Sequence, residues 1–411
     1  RGTRGQRAMI YGKSAIKGFM VAAPTSNSGK TTITLSIMAA LKKCGLQVAP
    51  FKVGPDFIDP GHHSRVTGRI SRNVDGWMLD QATCKQIFWN SAGNADIAVV
   101  EGVMGLYDGY DGISEAGSTA QMAKWLGLPV LLVADASSMA RSFGALVKGF
   151  LEFDPEIRFC GILANKVGSD KHLRYLEQAL HGVTDVPMLG GIPRNQAVSI
   201  PNRHLGLYTA DDYALSGAMV ADLAGMITAN LDLDAFLSAL PGVAIDVEGS
   251  LPLPEADVHI GVARDKAFCF YYADNLDVLR QNGCEISFFS PLTDAAPPPD
   301  VDGLYFGGGY PELFAGALAK NSAMQAAVKR FCEMGMPIYA ECGGFMYLCR
   351  RLIEKNGQTH DMVNIFGFDT FMQQRLAALG YREIRFSGET PLGPEGTVAR
   401  GHEFHYSRLG E

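Results

Sequence analysis

The chain has no excess of basic residues. Its 411 residues hold 36 Lys and Arg against 43 Asp and Glu, a net of −7, so the basic footprint of a sequence-reading DNA binder is missing. No apolar run approaches the ~18 residues that a membrane-spanning helix needs. The basic start, RGTRGQRAMIYGKSAIKG, lacks the apolar core of a signal peptide. These absences point to a cytoplasmic chain with neither nucleic acid nor membrane as a partner. Because it opens with Arg1 rather than Met, the start reads as a tag, a processed end or a trimmed one. Cysteines are few and dispersed, at 44, 84, 160, 269, 284, 332, 342 and 349. None forms a CxxC, and none is spaced with His as in a zinc finger. A disulfide framework is not expected at this size, so most cysteines read as small buried hydrophobes in a reducing compartment. What is present is an ordinary globular mixture, 47% hydrophobic and 19% charged. The length predicts two or three domains, each able to bury a core.

Short apolar runs at 18–23, 48–53, 97–100, 130–133, 160–164 and 188–192 alternate with helical stretches. In the first of those stretches Ile33, Ile37 and Leu41 recur four apart, and Gly45 stands where a C-terminal cap belongs. Continuous apolar strands between helices predict a parallel sheet covered on both faces. Residues 241–256 contain acids and prolines without helical period and read as a linker. Strand-like runs restart at 258–263, 286–289, 304–306 and 337–340. The expected fold class is therefore α/β in two domains, 1–240 and 257–411: an N-terminal P-loop parallel-sheet domain and a second α/β domain.

Pro24-Thr25-Ser26-Asn27-Ser28-Gly29-Lys30-Thr31-Thr32 lies between a strand and a helix. It fits the Walker A pattern except that Pro24 stands in place of the first glycine. Backbone N–H groups around Asn27, Ser28, Gly29 and Lys30 form a concavity suited to phosphate oxygens, and the helix N-terminus adds positive charge. Lys30 supplies a point charge to the β/γ-phosphates, and the Thr31 hydroxyl is a Mg²⁺ ligand. Glu101 ends an apolar strand at the edge where open α/β sheets bind ligands, the place of a Walker B carboxylate. Asp108, in the Gly-rich turn that follows, reads either as a second acid for metal or phosphate or as a turn-forming Asp before Gly. Asn165-Lys166 matches a nucleotide-base-reading dipeptide. The loop from Lys52 to Arg72 packs Asp56, Asp59, His62, His63, Arg65 and Arg69 at another strand end. Its cations suggest an anionic ligand or, more plainly, a solvated helix face.

In the second half an apolar strand runs straight into Glu341-Cys342-Gly343-Gly344. This is the layout of a nucleophile elbow, with small neighbours giving room to a projecting side chain. A helix N-terminus after Cys342 is expected to lower its pKa and to leave the Gly343 N–H free for an oxyanion. The Gly307-Gly308-Gly309 turn offers a further N–H, assigned to Gly309. A thiol nucleophile normally needs an imidazole base. His402 and His405 are each either that partner or ordinary strand-end histidines.

Taken in order, APTSNSGKTT, KVGPDFIDPGHH, EGVMGLYDG, FGGGYPE, AECGGFMYL and GHEFHYS resemble the cobyrinic acid a,c-diamide synthase family. The likeness runs from about residue 18 nearly to the end. It implies a first domain similar to dethiobiotin synthetase and a second of the class I glutamine amidotransferase type. The activity implied is ATP- and glutamine-dependent amidation of the a and c carboxylates of a corrinoid-type macrocycle in cobalamin biosynthesis. The partners implied are glutamine and that macrocycle, and the cofactors ATP and Mg²⁺; a homodimer is the one oligomer entertained. By resemblance Cys342 is the glutaminase nucleophile. The nucleotide site takes Asn27, Ser28, Gly29, Lys30, Thr31, Thr32 and Asn165. Thr31, Glu101 and Asp108 attend the metal, and Asp56, Phe57 and Ile58 form the substrate loop. Members of the family often carry Tyr-Leu where this chain has Phe57-Ile58, which removes a hydroxyl. The family's histidine base lies beyond the GHEFHYS segment, so a chain ending at Glu411 is expected to be truncated before it. The alternatives are nickel-sirohydrochlorin a,c-diamide synthase and cobyric acid synthase. A non-enzymatic P-loop switch is the rival from another class. If ammonia passes from one domain to the other it must stay unprotonated, which calls for a shielded path.

Overall fold

The computed structural model describes residues 15–194, 202–203, 206–207, 215–244, 254–390 and 392–410. The basic start lies outside these residues up to position 14, as does the middle of the expected linker, 245–253. Among the described residues no helix is long and apolar enough to cross a membrane. Two compact units emerge, Arg1–Leu251 and Pro252–Glu411.

The first unit alternates β1 (Ala15–Ala22), α1 (Lys30–Lys43), β2 (Val48–Val53), α2 (Asp59–Thr67), β3 (Arg72–Val74), α3 (Gln81–Ala92) and β4 (Ile97–Glu101). It continues with α4 (Thr119–Leu126), β5 (Val130–Asp135), α5 (Arg141–Phe153), β6 (Phe159–Val167), α6 (Asp170–Leu180) and β7 (Met188–Pro193). A two-residue pair, β8 (Asn202–Arg203) and β9 (Gly206–Leu207), precedes α7 (Gly217–Asn230), α8 (Leu233–Ala239) and β10 (Gly242–Ala244). Seven strands run parallel in the order β3-β2-β4-β1-β5-β6-β7. Both faces of β1 are buried because its side chains alternate between two cores: Phe19 and Val21 pack with α1, α7 and α8, while Met20 and Ala22 pack with α3 and α4. That explains the unbroken apolar run. Ile33, Ile37 and Leu41 of α1 are buried as the four-residue spacing predicts. Gly45, at φ 84°, lets the Leu46 N–H reach the Leu41 carbonyl, a Schellman-type stop.

β10 departs from the sequence reading, which assigned 241–256 to a linker. Val243 is buried, and Gly242–Ala244 pairs antiparallel with Ala15–Lys17. Those three residues of β1 lie ahead of Met20, where its ladder to β5 begins, and β10 supplies their missing backbone partners on that side. Three residues are too short a segment to show a period.

The second unit holds β11 (Val258–Ala263), β12 (Phe268–Phe270), α9 (Ala273–Gln281), β13 (Cys284–Phe289), β14 (Gly303–Phe306) and β15 (Gly308–Gly309). After a 3₁₀ turn at Pro311–Leu313 come α10 (Ala315–Lys320), α11 (Ser322–Glu333), β16 (Ile338–Ala340) and α12 (Gly343–Leu348). The last elements are β17 (Cys349–Ile353), β18 (Thr359–Asp361), β19 (Phe366–Met372), β20 (Ala378–Arg385), β21 (Val398–His405) and β22 (Ser407–Leu409). β13-β11-β14-β16 form a parallel sheet, β18-β17-β19-β22 a second sheet, and β20 and β21 a long antiparallel ribbon. Phe268, Phe306 and Tyr347 centre the main core.

Candidate functional site

Each unit carries one candidate site at the C-terminal edge of its parallel sheet, where strand ends release loops. In the first unit the loop between β1 and α1 is held open by Asn27 at φ 63° and Gly29 at φ 93°. Glycine is required at 29 twice over, because an added Cβ would stand 2.3 Å from Asn165 Nδ2. Asn165 buttresses this loop: its Nδ2 donates to Ser28 O at 2.8 Å, and its Oδ1 accepts from Lys166 N at 2.9 Å. Ser28 Oγ donates to Thr25 O at 2.9 Å. Thr32 sits half-buried in the first turn of α1. The Lys30 ammonium is held by the carbonyl oxygens of Thr25 and Met104, and among the described residues it makes no ion pair. Burial, followed by the charge of Lys52, lowers the Lys30 pKa to about 8. A buried ammonium held by carbonyl oxygens with no anion paired to it, at the start of α1, fits a phosphate.

Beside it lies a buried charge cluster that sequence reasoning did not assemble. Lys52 Nζ stands 2.6 Å from Asp59 Oδ2 and 3.0 Å from Glu101 Oε1. The Thr31 hydroxyl donates to Glu101 Oε1 at 2.6 Å and reaches Asp59 Oδ2 at 3.3 Å. His63 Nε2 lies 2.7 Å from Glu101 Oε2, both side chains wholly buried, and its Nδ1 is 3.3 Å from Ser71 Oγ. Burial alone would discharge Lys52, but Asp59, Glu101 and Asp56 outweigh it and hold the ammonium well above its ordinary pKa. Burial would raise Glu101 too, yet Lys52, His63 and Thr31 prevail and keep it below the carboxylate range. Asp59 is driven the other way, by burial and by Asp56. Lys52 thus stands between a carboxylate held in its charged form, Glu101, and one whose charged form burial disfavours, Asp59. The legible signal was a lysine inside the otherwise apolar strand VAPFKV, which demands a buried carboxylate.

Hydroxyl and carboxylate oxygens at Thr31 and Glu101 form a hard donor set that suits Mg²⁺, which needs only one or two carboxylates beside phosphate and water. Among the described residues no group of three or more His, Cys, Asp or Glu forms a metal cage. Asp108 is exposed at the rim, where its Oδ2 accepts from Gly105 N at 3.0 Å and its charge reaches Lys30. The hydrogen bond is that of a turn-forming aspartate. Asp56 Oδ1 accepts from the N–H groups of Ile58 and Asp59, setting the loop that carries Phe57 and Ile58 into α2. Arg69 does not belong to an anion site: its guanidinium bonds to Ser91 O and Asn94 O at the end of α3.

In the second unit Cys342 sits between β16 and α12 at φ 48° and ψ −113°, a strained conformation for a residue with a side chain. The turn is crowded. A Cβ on Gly344 would lie 2.4 Å from Phe306 O, and one on Gly309 2.1 Å from Ala267 O. The Tyr271 hydroxyl clamps this turn, accepting from Gly307 N at 2.8 Å and donating to Ala263 O. Although Cys342 reaches solvent, the protein packed about its sulfur pushes the thiol above its ordinary pKa. The N–H groups of Gly343 and Gly309 oppose that shift, while Glu312 and Glu341 add to it. This corrects the sequence expectation of a lowered pKa: the helix N-terminus does act downward, but desolvation is larger. The Gly343 and Gly309 N–H groups both lie against the sulfur. Sequence reasoning missed Glu341, whose carboxylate accepts from Tyr305 and Tyr339 hydroxyls at 2.6 and 3.1 Å. His405 Nδ1 lies 2.9 Å from Ser407 O, and its Nε2 lies 3.7 Å from Glu403.

Residues 19–207 match the CobQ/CobB/MinD/ParA nucleotide binding domain, and residues 259–411 match the CobB/CobQ-like glutamine amidotransferase domain. The chain is thus a nucleotide-binding unit joined to a glutamine amidotransferase. Cobyrinate a,c-diamide synthase of Syntrophotalea carbinolica is 44% identical over 394 residues, covering 94% of this chain and 85% of that protein. The enzyme of the same name from Salmonella typhimurium is 42% identical over 399 residues, covering 95% and 85%. That of Leptospira interrogans serovar copenhageni is 42% identical over 387 residues, covering 93% and 84%. The chain belongs to the cobyrinate a,c-diamide synthase family.

Proposed function

We propose that this chain amidates the a and c side-chain carboxylates of cobyrinate in cobalamin biosynthesis, using ATP for activation and glutamine as the nitrogen source. The observation that carries this reading is the presence in one chain of two complementary sites: an uncompensated Lys30 ammonium under a P-loop, and a Cys342 thiol faced by two backbone N–H groups.

In the second unit the Cys342 sulfur attacks the glutamine carboxamide carbon. The thiol proton passes to the departing nitrogen, ammonia leaves and a thioester remains, which water cleaves to glutamate and free thiol. The Gly309 and Gly343 N–H groups stabilise the oxyanion. In the first unit the substrate carboxylate takes the γ-phosphoryl group of ATP, ADP leaves, and an acyl phosphate forms. Ammonia then attacks its carbonyl carbon and phosphate departs. A carboxylate resists ammonia without such activation. Asn27, Ser28, Gly29, Thr32 and Asn165 shape the nucleotide cradle, and Lys30 holds the β/γ-phosphates. Thr31 and Glu101, with Asp108 at the rim, are the groups that would hold Mg²⁺, which neutralises phosphate charge when bound. Asp56, Phe57 and Ile58 line the acceptor side.

The test is to incubate the full chain with ATP, Mg²⁺, glutamine and cobyrinate and weigh the products. Two successive amide-for-acid replacements are expected. Cys342→Ala should abolish use of glutamine yet keep amidation with added ammonia, whereas Lys30→Ala should abolish amidation with either nitrogen source. Equal loss in both assays by Cys342→Ala overturns the division of labour.

A further inference from the structure

Three loops leave neighbouring strand ends on the nucleotide side of the first unit. β2 lies between β3 and β4 in the sheet. Trp77 follows β3 and Tyr110 follows β4, and their rings stack at 5.2 Å with planes 25° apart. The pair therefore reaches across the end of β2, the strand that feeds Asp56, Phe57 and Ile58. Its supports are rigid. The buried Asp75 carboxylate accepts from Trp77 N and Met78 N, both at 2.9 Å. Gly76 packs so tightly on α4 that a Cβ would stand 2.0 Å from Gln121 Oε1. The loop bearing Tyr110 abuts the P-loop: Leu106 N donates to Ala23 O at 2.8 Å, and the Met104 carbonyl receives the Lys30 ammonium. Yet this loop presents apolar surface to water, with Met104 38%, Tyr110 51% and Ile113 99% exposed. An isoleucine laid bare on a loop that abuts the P-loop gains nothing for folding, and apolar lips of this kind mark binding surfaces.

We propose that Tyr110, backed by Trp77 and flanked by Met104 and Ile113, is the seat for the flat face of the macrocyclic substrate. This rests on the amidation reading above. A side-chain carboxylate can meet the γ-phosphate only if its ring lies within one side chain's length of the P-loop. Among the described residues this lip is exposed apolar surface joined to that loop, through Met104 and Lys30. A planar, largely apolar ring is the occupant that an exposed aromatic face suits best.

The experiment titrates cobyrinate into the full chain, following quenching of tryptophan fluorescence, and measures KM and kcat for cobyrinate and for ATP. Tyr110→Ala and Ile113→Ser alter exposed side chains and should fold normally. Each is expected to raise the cobyrinate Kd and KM about tenfold, leaving the ATP KM and glutamine hydrolysis unchanged. Tyr110→Phe, which keeps the ring, should bind as the wild type does. A wild type that binds cobyrinate, with Tyr110→Ala and Ile113→Ser binding equally well, overturns the seat and leaves the amidation reading standing. A wild type that does not bind cobyrinate overturns both. Loss of a dimer in Ile113→Ser without a change in KM assigns the lip to a second copy of the chain and also overturns the proposal.

Discussion

At Lys52 one ammonium stands between Asp59 at 2.6 Å and Glu101 at 3.0 Å, with its side chain 5% exposed. Replacing it removes the ammonium that stands against both buried acids and leaves its partners unpaired, which is the expensive way to break a buried pair. Lys52→Met should therefore cost about 3–5 kcal/mol in urea unfolding. Adding Glu101→Gln to Lys52→Met should recover part of that loss. If the single change costs under about 1 kcal/mol, the cluster is solvated and its charges are not coupled. The thiol of Cys342 gives a second test. Burial favours its neutral form, so the thiolate fraction at neutral pH is below that of an ordinary cysteine and grows as pH rises through the raised pKa. The rate of alkylation by iodoacetamide, followed by mass of the Cys342 peptide, should climb with a midpoint above that of a free thiol. A midpoint at or below the free-thiol value would mean that the Gly343 and Gly309 N–H groups dominate after all.

Among elements, the elbow between β16 and α12 separates packing from chemistry. Gly344 N donates to Gly307 O at 2.9 Å, and a Cβ at 344 would drive into Phe306 backbone and side chain, at 2.4 and 2.6 Å. A Cβ at Gly308 would instead meet Cys342 Cβ at 3.3 Å and Sγ at 3.5 Å, contacts that small shifts absorb. Gly344→Ala should thus lose about 1–3 kcal/mol of stability through overpacking. Gly308→Ala should melt like the wild type while hydrolysing glutamine more slowly; equal melting of both variants would refute the distinction. The elbow and the P-loop were legible because each is a short contiguous string whose residue types match its geometry. The Lys52, Asp59, Glu101 and His63 cluster was not, because its members come from separate elements and meet only once β2 and β4 pair at Lys52↔Glu101. The strands after residue 349 were equally hidden. Those of the ribbon, such as ALGYREIR, are largely exposed on both faces, so they lack the apolar run or alternation that announces a buried strand.

Over the whole chain, the division into an early and a late half was readable from the restart of strand alternation, since each parallel sheet needs its own set of covering helices. Among the described residues the cores follow that division. Those around Phe19, Met20 and Phe143 belong to the first unit, and that around Phe306 to the second. Separate cores predict separate unfolding events, because cooperativity follows contiguous packing. Scanning calorimetry should resolve two transitions. A non-hydrolysable ATP analogue at about 100 times its Kd should stabilise one of them by ~2.7 kcal/mol and leave the other in place. Lys30→Ala should abolish that shift without merging the transitions. A glutamine analogue that alkylates Cys342 should move the transition that the nucleotide spares. A single transition that moves as one with either ligand would instead mean that the two units unfold together, and that nucleotide binding and thiol chemistry share one cooperative body.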